Sequence, residues 1–171
     1  MNKTFATFAH LVLFAISLFA LQAQAVIEVG DGVPDQCWKT SETTDYCLNQ
    51  TQTIRVLLFN SGWCGSCNEE FQALIPAITE FDGKPITFIS LSAAGWSRPA
   101  PPNSKFLQQW KEKHNIPFTV AASPKDLGAS FFEPPHYIPN VAVIDQTGKL
   151  RYKAIEPGVE GLLKEIRKLL P

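Results

Sequence analysis

The sequence has no run of basic residues, and its charges nearly balance. Its 171 residues include 15 Lys and Arg against 16 Asp and Glu, so the formal net charge is −1 at pH 7. Proteins that bind nucleic acid or anionic membrane surfaces need concentrated positive charge. We therefore expect neither nucleic acid nor an anionic membrane surface as a partner.

Metal-binding patterns are also scarce. The chain has four cysteines, and the pair Cys64 and Cys67 is accompanied by no second C-x-x-C and no H-x-x-H. Structural zinc sites need four protein ligands. The sequence therefore argues against zinc, and we expect no metal and no cofactor.

An apolar run long enough to span a bilayer comfortably is missing as well. The stretch at 11–21 is short, follows the single cation Lys3 and precedes Ala23-Gln24-Ala25, a small-x-small pattern. This arrangement predicts a secretory signal peptide over residues 1–25, with an uncleaved anchor as the alternative. Residues 26–171 would form one domain of ordinary size. Export would place the cysteines in an oxidising compartment, where disulfides persist.

What the sequence does contain is an alternation of buried-type strands and helical stretches. Strands are predicted at 54–59, 86–91, 118–121, 141–144 and 150–154, and helices at 65–81, 104–114, 124–132 and 159–170. Pro76 should kink or divide the first helix. The first strand, helix and strand predict a parallel pair with a helical crossover, and 145–148 predicts a hairpin turn. These elements indicate an α/β fold, preceded at 26–52 by a loop or short hairpin.

Cys64 and Cys67 lie at the junction of the first strand and the first helix. Cysteines at i and i+3 there can close a small disulfide ring, and unpaired N–H groups with the helix dipole favour a thiolate. Because only the thiolate attacks, Cys64 is the expected nucleophile, exposed by the turn at 61–63, and Cys67 the resolving thiol. Trp63 either flanks the site with a flat apolar surface or is a half-buried packing residue.

Three features in this order resemble the thioredoxin superfamily: W-C-G-S-C at a strand-to-helix junction, Ile138-Pro139 directly before a strand, and a terminal hairpin with a helix. The helical insert before Pro139 is similar to that of exported, TlpA-like thiol-disulfide oxidoreductases. The resemblance covers roughly residues 29–170. It implies a thioredoxin-like three-layer fold, in which a central mixed sheet is flanked by helices and a helical insert precedes the cis-proline strand.

The resemblance also implies roles for individual residues. Pro139 would be cis, with its loop against the dithiol, so that the backbone of Ile138 pairs with an extended substrate chain. Glu70, three residues after Cys67 and on the same side of the helix, resembles a proton acceptor for the second thiol. Thioredoxins carry a buried aspartate where this chain has Leu58. The alternative is that Glu70 only complements the helix dipole.

Cys37 and Cys47 form the natural remaining pair. We expect a structural disulfide, with an electron relay that exchanges with Cys64 as the alternative. A disulfide that closes a loop of about eleven residues would stabilise the fold by about 3 kcal/mol on the chain-entropy model.

The function implied is that of a monomeric periplasmic enzyme that exchanges disulfides with protein substrates and with an upstream redox partner. Reduction is the expected direction, because Gly65-Ser66 lacks the histidine of strong oxidants and Ile138 resembles reducing members. A disulfide isomerase or oxidase is one alternative; a peroxidase is disfavoured because Thr-x-x-Cys is absent at this junction. A non-enzymatic copper(I) carrier using Cys64, Cys67 and His136 is another, although copper-carrying relatives resemble C-x-x-x-C.

Overall fold

A computed structural model describes residues 26–98, 100–123 and 127–171. The expected signal peptide at 1–25, and the start of the helix expected at 124–132, lie outside these ranges. The strands are β1 (Cys37–Lys39), β2 (Asp45–Cys47), β3 (Ile54–Asn60), β4 (Ile86–Ser92), β5 (Thr119–Ala122), β6 (Asn140–Ile144) and β7 (Leu150–Ile155). The α-helices are α1 (Gly65–Ala77), α2 (Ser104–Lys113), α3 (Leu127–Phe131) and α4 (Val159–Arg167).

Five of the strands form one mixed sheet in the order β5-β4-β3-β6-β7. β4 is parallel to both β3 and β5, whereas β6 is antiparallel to β3 and to β7. The parallel β3–α1–β4 unit and the β6–β7 hairpin confirm the connections expected from the sequence. The helical insert, α2 and α3, lies between β4 and β6 as the resemblance implied.

Both faces of the sheet are buried. Successive side chains of a strand point to opposite faces, and all seven residues of β3 are buried. On β3, Val56 and Leu58 belong to a core cluster that includes side chains from α1, α2 and α4. Leu57 and Phe59 belong to a second cluster that also contains Trp38 of β1. The longer helices therefore share one face, while the β1–β2 hairpin and α3 cover the other. The result is the expected three-layer arrangement.

Pro76 ends the regular part of the first long helix, as its position in the sequence predicted. α1 stops at Ala77, and a 3-10 turn, Ile78–Phe81, continues the chain. Proline has no N–H to donate to the preceding turn and its ring crowds that turn. The expected helix at 65–81 is therefore divided into two pieces.

Helix α2 brings the long loop after β4 close to the end of β3. Its N-terminus is capped by Asn103, whose side chain accepts a hydrogen bond from the Phe106 N–H at 2.9 Å. Phe106 and Trp110 are buried in the core. The N–H of Ala93 donates to the Asn60 carbonyl at 2.9 Å, and the N–H of Gly62 donates to the Ala94 carbonyl at 3.2 Å. The loop at 93–98 is thus joined to the turn that carries the C-x-x-C pair.

The β1–β2 hairpin carries the second cysteine pair. Cys37 and Cys47 lie directly opposite each other in the antiparallel pairing and are joined by a disulfide. The bond closes a short loop, with a sequence separation of 10. Neighbouring Trp38 is 2% exposed and packs in the second core cluster. The hairpin is therefore held both by its own disulfide and by contact with the sheet.

Replacing both hairpin cysteines, Cys37→Ala with Cys47→Ala, is expected to lower the free energy of unfolding by about 3 kcal/mol, because the unfolded chain gains loop entropy. Urea denaturation of the two proteins measures this difference. If the disulfide is structural, the folded variant keeps its redox turnover. A folded variant with unchanged stability and lost turnover would contradict the structural role and favour the relay.

Candidate active site

The turn after β3 places Cys64 at the N-terminus of α1. The N–H of Cys64 donates to the Ser61 carbonyl at 3.0 Å, and Cys64 itself is the N-cap residue, with an extended backbone conformation. The sequence contains turn-forming residues at 60–62, which are also residues that can cap a helix. The cap lies further along because the chain first makes the tight turn at 61–63 and only then enters the helix.

Cys64 and Cys67 are joined by a disulfide, with an S–S distance of 2.06 Å and Cα atoms 5.3 Å apart. The backbone N–H of Cys67 donates to Cys64 Sγ at 3.1 Å, and Ser66 Oγ lies 3.5 Å from the same sulfur. Donors at a helix N-terminus stabilise negative charge. In the reduced protein this arrangement would favour a thiolate at Cys64.

Cys64, the expected nucleophile, is less accessible than the sequence predicted. Cys64 is 4% exposed and Cys67 is fully buried. Cys64 Sγ lies 4.0 Å from the carbonyl oxygen of Ile138, which belongs to the loop that enters β6. The prediction that the turn exposes Cys64 is therefore wrong for the disulfide form, because a loop distant in sequence covers one side of the sulfur.

The loop before β6 has the conformation that the resemblance implied. The Ile138–Pro139 peptide bond is cis, as is Pro134–Pro135 in the same loop. Asn140 Nδ2 donates to the Tyr137 carbonyl at 2.7 Å, and the N–H of Glu156 donates to the Pro139 carbonyl at 2.9 Å. These bonds hold the loop at the start of β6.

The register of the sheet brings this loop to the dithiol. Phe59, near the end of β3, is paired with Asn140, the first residue of β6. The residues that follow Phe59 make the Cys64 turn, and the residues that precede Asn140 make the cis-proline loop. The antiparallel pairing therefore sets the two segments side by side.

Glu70 lies in a confined apolar space under the cis-proline. It lines a cavity of about 10 Å³ together with Leu58, Phe71, Pro139 and others. Its Oε1 is buried and has no hydrogen-bond partner among the described residues. Burial raises the pKa of the Glu70 carboxyl, and the nearby negative charge of Glu156 raises it further. A half-buried carboxyl of this kind is suited to hold or release a proton.

Leu58 lines the same cavity as Glu70. The sequence had matched Leu58 to the buried aspartate of thioredoxins, which this chain lacks. The acidic group of this chain therefore reaches the space beside position 58 from α1 rather than from β3.

A second and larger cavity, of about 280 Å³, lies beside the dithiol. Its lining comes from the Cys64 turn, the loop after β4 and the cis-proline loop, and comprises Phe59, Ser61, Trp63, Ala93, Ala94, Arg98, Ser123, Gly128, His136, Ile138 and Asn140. The guanidinium carbon of Arg98 sits 3.4 Å from the centre of the Trp63 ring. Trp63 and Ile138, two of the three residues expected to bind the substrate, thus line one cavity, whereas the third, Pro139, lines the cavity of Glu70.

Two residues of this cavity were missed by the sequence reasoning. Arg98 lies in a proline-rich loop without periodicity, so nothing in the sequence indicated its contact with Trp63. Asn140 directly follows Pro139, and this adjacency was the only feature of the sequence that could have indicated its place beside the site. Asn140 is 2% exposed, and its Oδ1 has no partner among the described residues.

In the part of the chain that the structure describes, no three His, Cys, Asp or Glu side chains gather in a way that could hold a metal ion. Within those ranges, no helix has the length and apolar character needed to cross a membrane.

Gly62 allows the close approach of the loop after β4. A Cβ atom at this position would lie 2.5 Å from Phe106 Cε2 and 2.8 Å from the Gly95 carbonyl oxygen. Gly62→Ala is therefore expected to lower the free energy of unfolding by about 1–3 kcal/mol, as overpacked sites do. Urea denaturation measures the change.

Gly65→Ala is the matched control for this prediction. Gly65 is exposed in the first turn of α1, and a Cβ there meets nothing within 4 Å. Its stability should stay at or above that of the wild type, since alanine favours the helix. Equal stability of both variants would contradict the packing argument.

Comparison with known proteins places these observations in a family. The sequence model of the AhpC/TSA family matches residues 29–153, which is more than half of the chain. A comparison with curated proteins found no match.

Solved structures share the fold at low sequence identity. The thioredoxin domain of a thiol-disulfide oxidoreductase from Bacteroides vulgatus superposes with a TM-score of 0.66 at 16% identity, covering 85% of this chain and 99% of that one. A thiol:disulfide interchange protein of the thioredoxin family from Chlorobium tepidum gives a TM-score of 0.68 at 14% identity, covering 84% and 99%. A thiol:disulfide interchange protein from Bacteroides sp. gives 0.67 at 17%, covering 84% and 91%.

These similarities agree with the fold described above, a mixed five-stranded sheet with a cysteine pair at the start of its first long helix. The chain therefore belongs to the AhpC/TSA family, and it shares its fold with solved structures named as thioredoxin-family proteins.

Proposed function

We propose that this protein is an exported thiol-disulfide oxidoreductase that reduces disulfides in other proteins. The observation that carries the proposal is the Cys64–Cys67 disulfide at the N-terminus of α1, with the Cys67 N–H directed at Cys64 Sγ. Family membership supports it, as do structural neighbours named as thiol-disulfide oxidoreductases and interchange proteins.

The reaction proceeds through two exchanges. In the reduced protein the Cys64 thiolate attacks one sulfur of a substrate disulfide. The substrate S–S bond breaks and a disulfide forms between Cys64 and the substrate. The other substrate sulfur leaves as a thiolate, which takes up a proton. The Cys67 thiolate then attacks Cys64 Sγ and releases the second substrate thiol. Two electrons pass from the enzyme to the substrate, and the Cys64–Cys67 disulfide remains. A dithiol of an upstream redox partner reverses this sequence and restores the reduced enzyme.

Glu70 is the proposed proton acceptor for Cys67. The Cys67 thiol is buried, so its ionisation needs a base that is not bulk water. Glu70 lies one helical turn further along α1, and its carboxyl faces a confined space under Pro139. The cavity of about 10 Å³ is near the smallest space that holds one water molecule. Because Cys67 and Glu70 are i and i+3 neighbours on one side of α1, proton transfer between them fits this spacing.

The cis-proline loop and Trp63 are proposed to bind the substrate chain. The carbonyl of Ile138 lies next to Cys64 Sγ, so a substrate segment paired with the backbone of Ile138 would carry its cysteine past the nucleophile. Trp63 forms the neighbouring wall. Pro139 places this backbone but has no N–H of its own to offer.

Direction and location are parts of the same proposal. Gly65-Ser66 between the cysteines and Ile138 before Pro139 favour a reductase, and the signal peptide at 1–25 favours the periplasm. We expect a monomer that meets two partners in turn, its substrate and its electron donor, without cofactor or metal.

Insulin reduction with a dithiol donor tests the activity. The protein should accelerate turbidity well above the uncatalysed rate, and equilibration with glutathione should give a reduction potential nearer to about −270 mV than to about −120 mV. A value near the latter would reverse the direction and favour an oxidase. Tight copper(I) binding to the dithiol without any turnover would contradict the proposal as a whole.

A further inference from the structure

We propose that the cavity beside the dithiol, which we call the Trp63–Arg98 pocket, is a subsite for an acidic side chain next to the reacting cysteine of the substrate, and that Arg98 selects that side chain. This inference rests on the proposed function. It adds a preference among protein substrates that the thiol chemistry alone does not supply.

The position of the pocket couples it to the reacting sulfur. Two of its walls are Trp63, adjacent to Cys64 in the chain, and Ile138, whose carbonyl lies 4.0 Å from Cys64 Sγ. Its volume of about 280 Å³ lies near the lower end of the range for ligand pockets. A substrate cysteine at Cys64 would therefore place a flanking side chain, rather than a large cofactor, in this space.

The charge of the pocket favours an anion. Among the described residues that line it, Arg98 and His136 are the ionisable ones, and none is acidic. Arg98 is exposed, and it takes part in none of the ion pairs among the described residues. A guanidinium without a carboxylate partner attracts a carboxylate and repels an ammonium group.

The contact with Trp63 orients that charge. With its guanidinium carbon 3.4 Å from the ring centre, Arg98 makes a cation–π contact with Trp63. Stacking leaves the planar N–H groups at the edge of the guanidinium available, which is the geometry that binds a carboxylate with two hydrogen bonds.

The side chain of Asn140 is a second polar group that could bind the backbone of a peptide in this pocket. Asn140 lines both this pocket and the cavity of Glu70, at 2% exposure, with Nδ2 bonded to the Tyr137 carbonyl and Oδ1 without a partner among the described residues. An unpaired buried acceptor calls for a donor. The backbone N–H of an acidic residue supplies that donor, while its carboxylate meets Arg98.

Three disulfide-linked peptides that differ only at the two residues flanking the cysteine test the inference. Flanking Glu should give the highest kcat/KM, Gln an intermediate value and Lys the lowest, with the difference mainly in KM. The ratio of Glu to Lys should be about fivefold, as expected for exposed charge contacts, and should shrink as salt is added. Arg98→Gln should abolish the ratio, and Arg98→Glu should invert it.

Lys105→Glu is the matched control, because Lys105 is an exposed cation of α2 outside the pocket lining. It makes the same change in net charge and should keep the order Glu, Gln, Lys. Circular dichroism confirms that each variant is folded. Equal wild-type rates for the three peptides, or inversion by Lys105→Glu as well, would overturn the inference while leaving the proposed function standing. No turnover with any peptide would overturn both.

A carboxylate beside a disulfide is also present in glutathione disulfide. Parallel assays with glutathione disulfide distinguish a carboxylate from this small molecule from a carboxylate on a protein substrate. Arg98-dependent reduction of glutathione disulfide, together with no preference among the peptides, would overturn the assignment to a protein side chain.

Discussion

Cys64→Ser is expected to lower insulin reduction by at least about a thousandfold, to the uncatalysed rate, because the first exchange has no other nucleophile. Serine keeps the size and the N-cap capability of the position. The loss should therefore occur without loss of the fold, and circular dichroism together with urea denaturation can confirm this. The turnover assay measures the chemical effect.

Cys67→Ser is the matched control for this experiment. It also stops turnover, but it retains the attacking sulfur, so a stable disulfide between Cys64 and the substrate should accumulate on non-reducing gels. In the reduced wild type, alkylation at mildly acidic pH should modify Cys64 faster than a free thiol in solution. Trapping through position 67 in the Cys64→Ser protein, or no enhanced reactivity at Cys64, would contradict the assignment of the two roles.

Glu70→Gln is expected to slow turnover by about a hundredfold, the lower range of general acid–base contributions. Glutamine fills the same space but accepts no proton from Cys67. Because burial and Glu156 raise the pKa of Glu70, the wild-type rate of the resolving step should rise as pH passes upward through that pKa. The variant should lack this rise. Stopped-flow measurement of resolution across pH reports both effects.

The same pKa shift predicts a pH dependence of stability. At pH below the ordinary value of 4.5, Glu70 is protonated in the folded and unfolded chain alike. As pH rises the unfolded chain ionises first, so its free energy falls relative to the folded state, and the contribution of Glu70 to stability is lost through the folded pKa. Glu70→Gln should remove this decline, which urea denaturation at several pH values measures.

Glu69→Gln is the control for both measurements, since Glu69 is the exposed neighbour on α1 and does not line the cavity. It should change neither the turnover nor the pH profiles appreciably. If Glu69→Gln and Glu70→Gln have the same small effect, both carboxylates only complement the helix dipole, and the proton role is wrong.

The dithiol and its frame could be predicted because they depend on short-range patterns. The apolar run of β3, the i and i+3 spacing of Cys64 and Cys67, and the break caused by Pro76 all express local backbone rules. The order of these elements with Ile138-Pro139 produced the resemblance to the thioredoxin superfamily, and that resemblance implied the three-layer fold and the cis bond. Element ends still moved by several residues, as when the closing helix stopped at Arg167 rather than near Leu170.

Accessibility and electrostatics escaped prediction because they depend on which distant segments meet. The pairing of Phe59 with Asn140 sets the cis-proline loop over Cys64 and makes this sulfur buried in the disulfide form. The sequence predicted an exposed sulfur, since the turn alone contains nothing that would cover it.

By itself, the sequence determined the order of strands and helices, the place of the Cys64 and Cys67 pair and the family in which to look for its chemistry. Only the tertiary structure decided that Arg98 stacks on Trp63, that Glu70 shares a closed space with Leu58, and that Asn140 is buried with an unpaired side-chain oxygen. The physical reason is that backbone conformation follows from neighbours along the chain. Burial and charge contacts depend on sheet register and loop packing, which bring together residues dozens of positions apart.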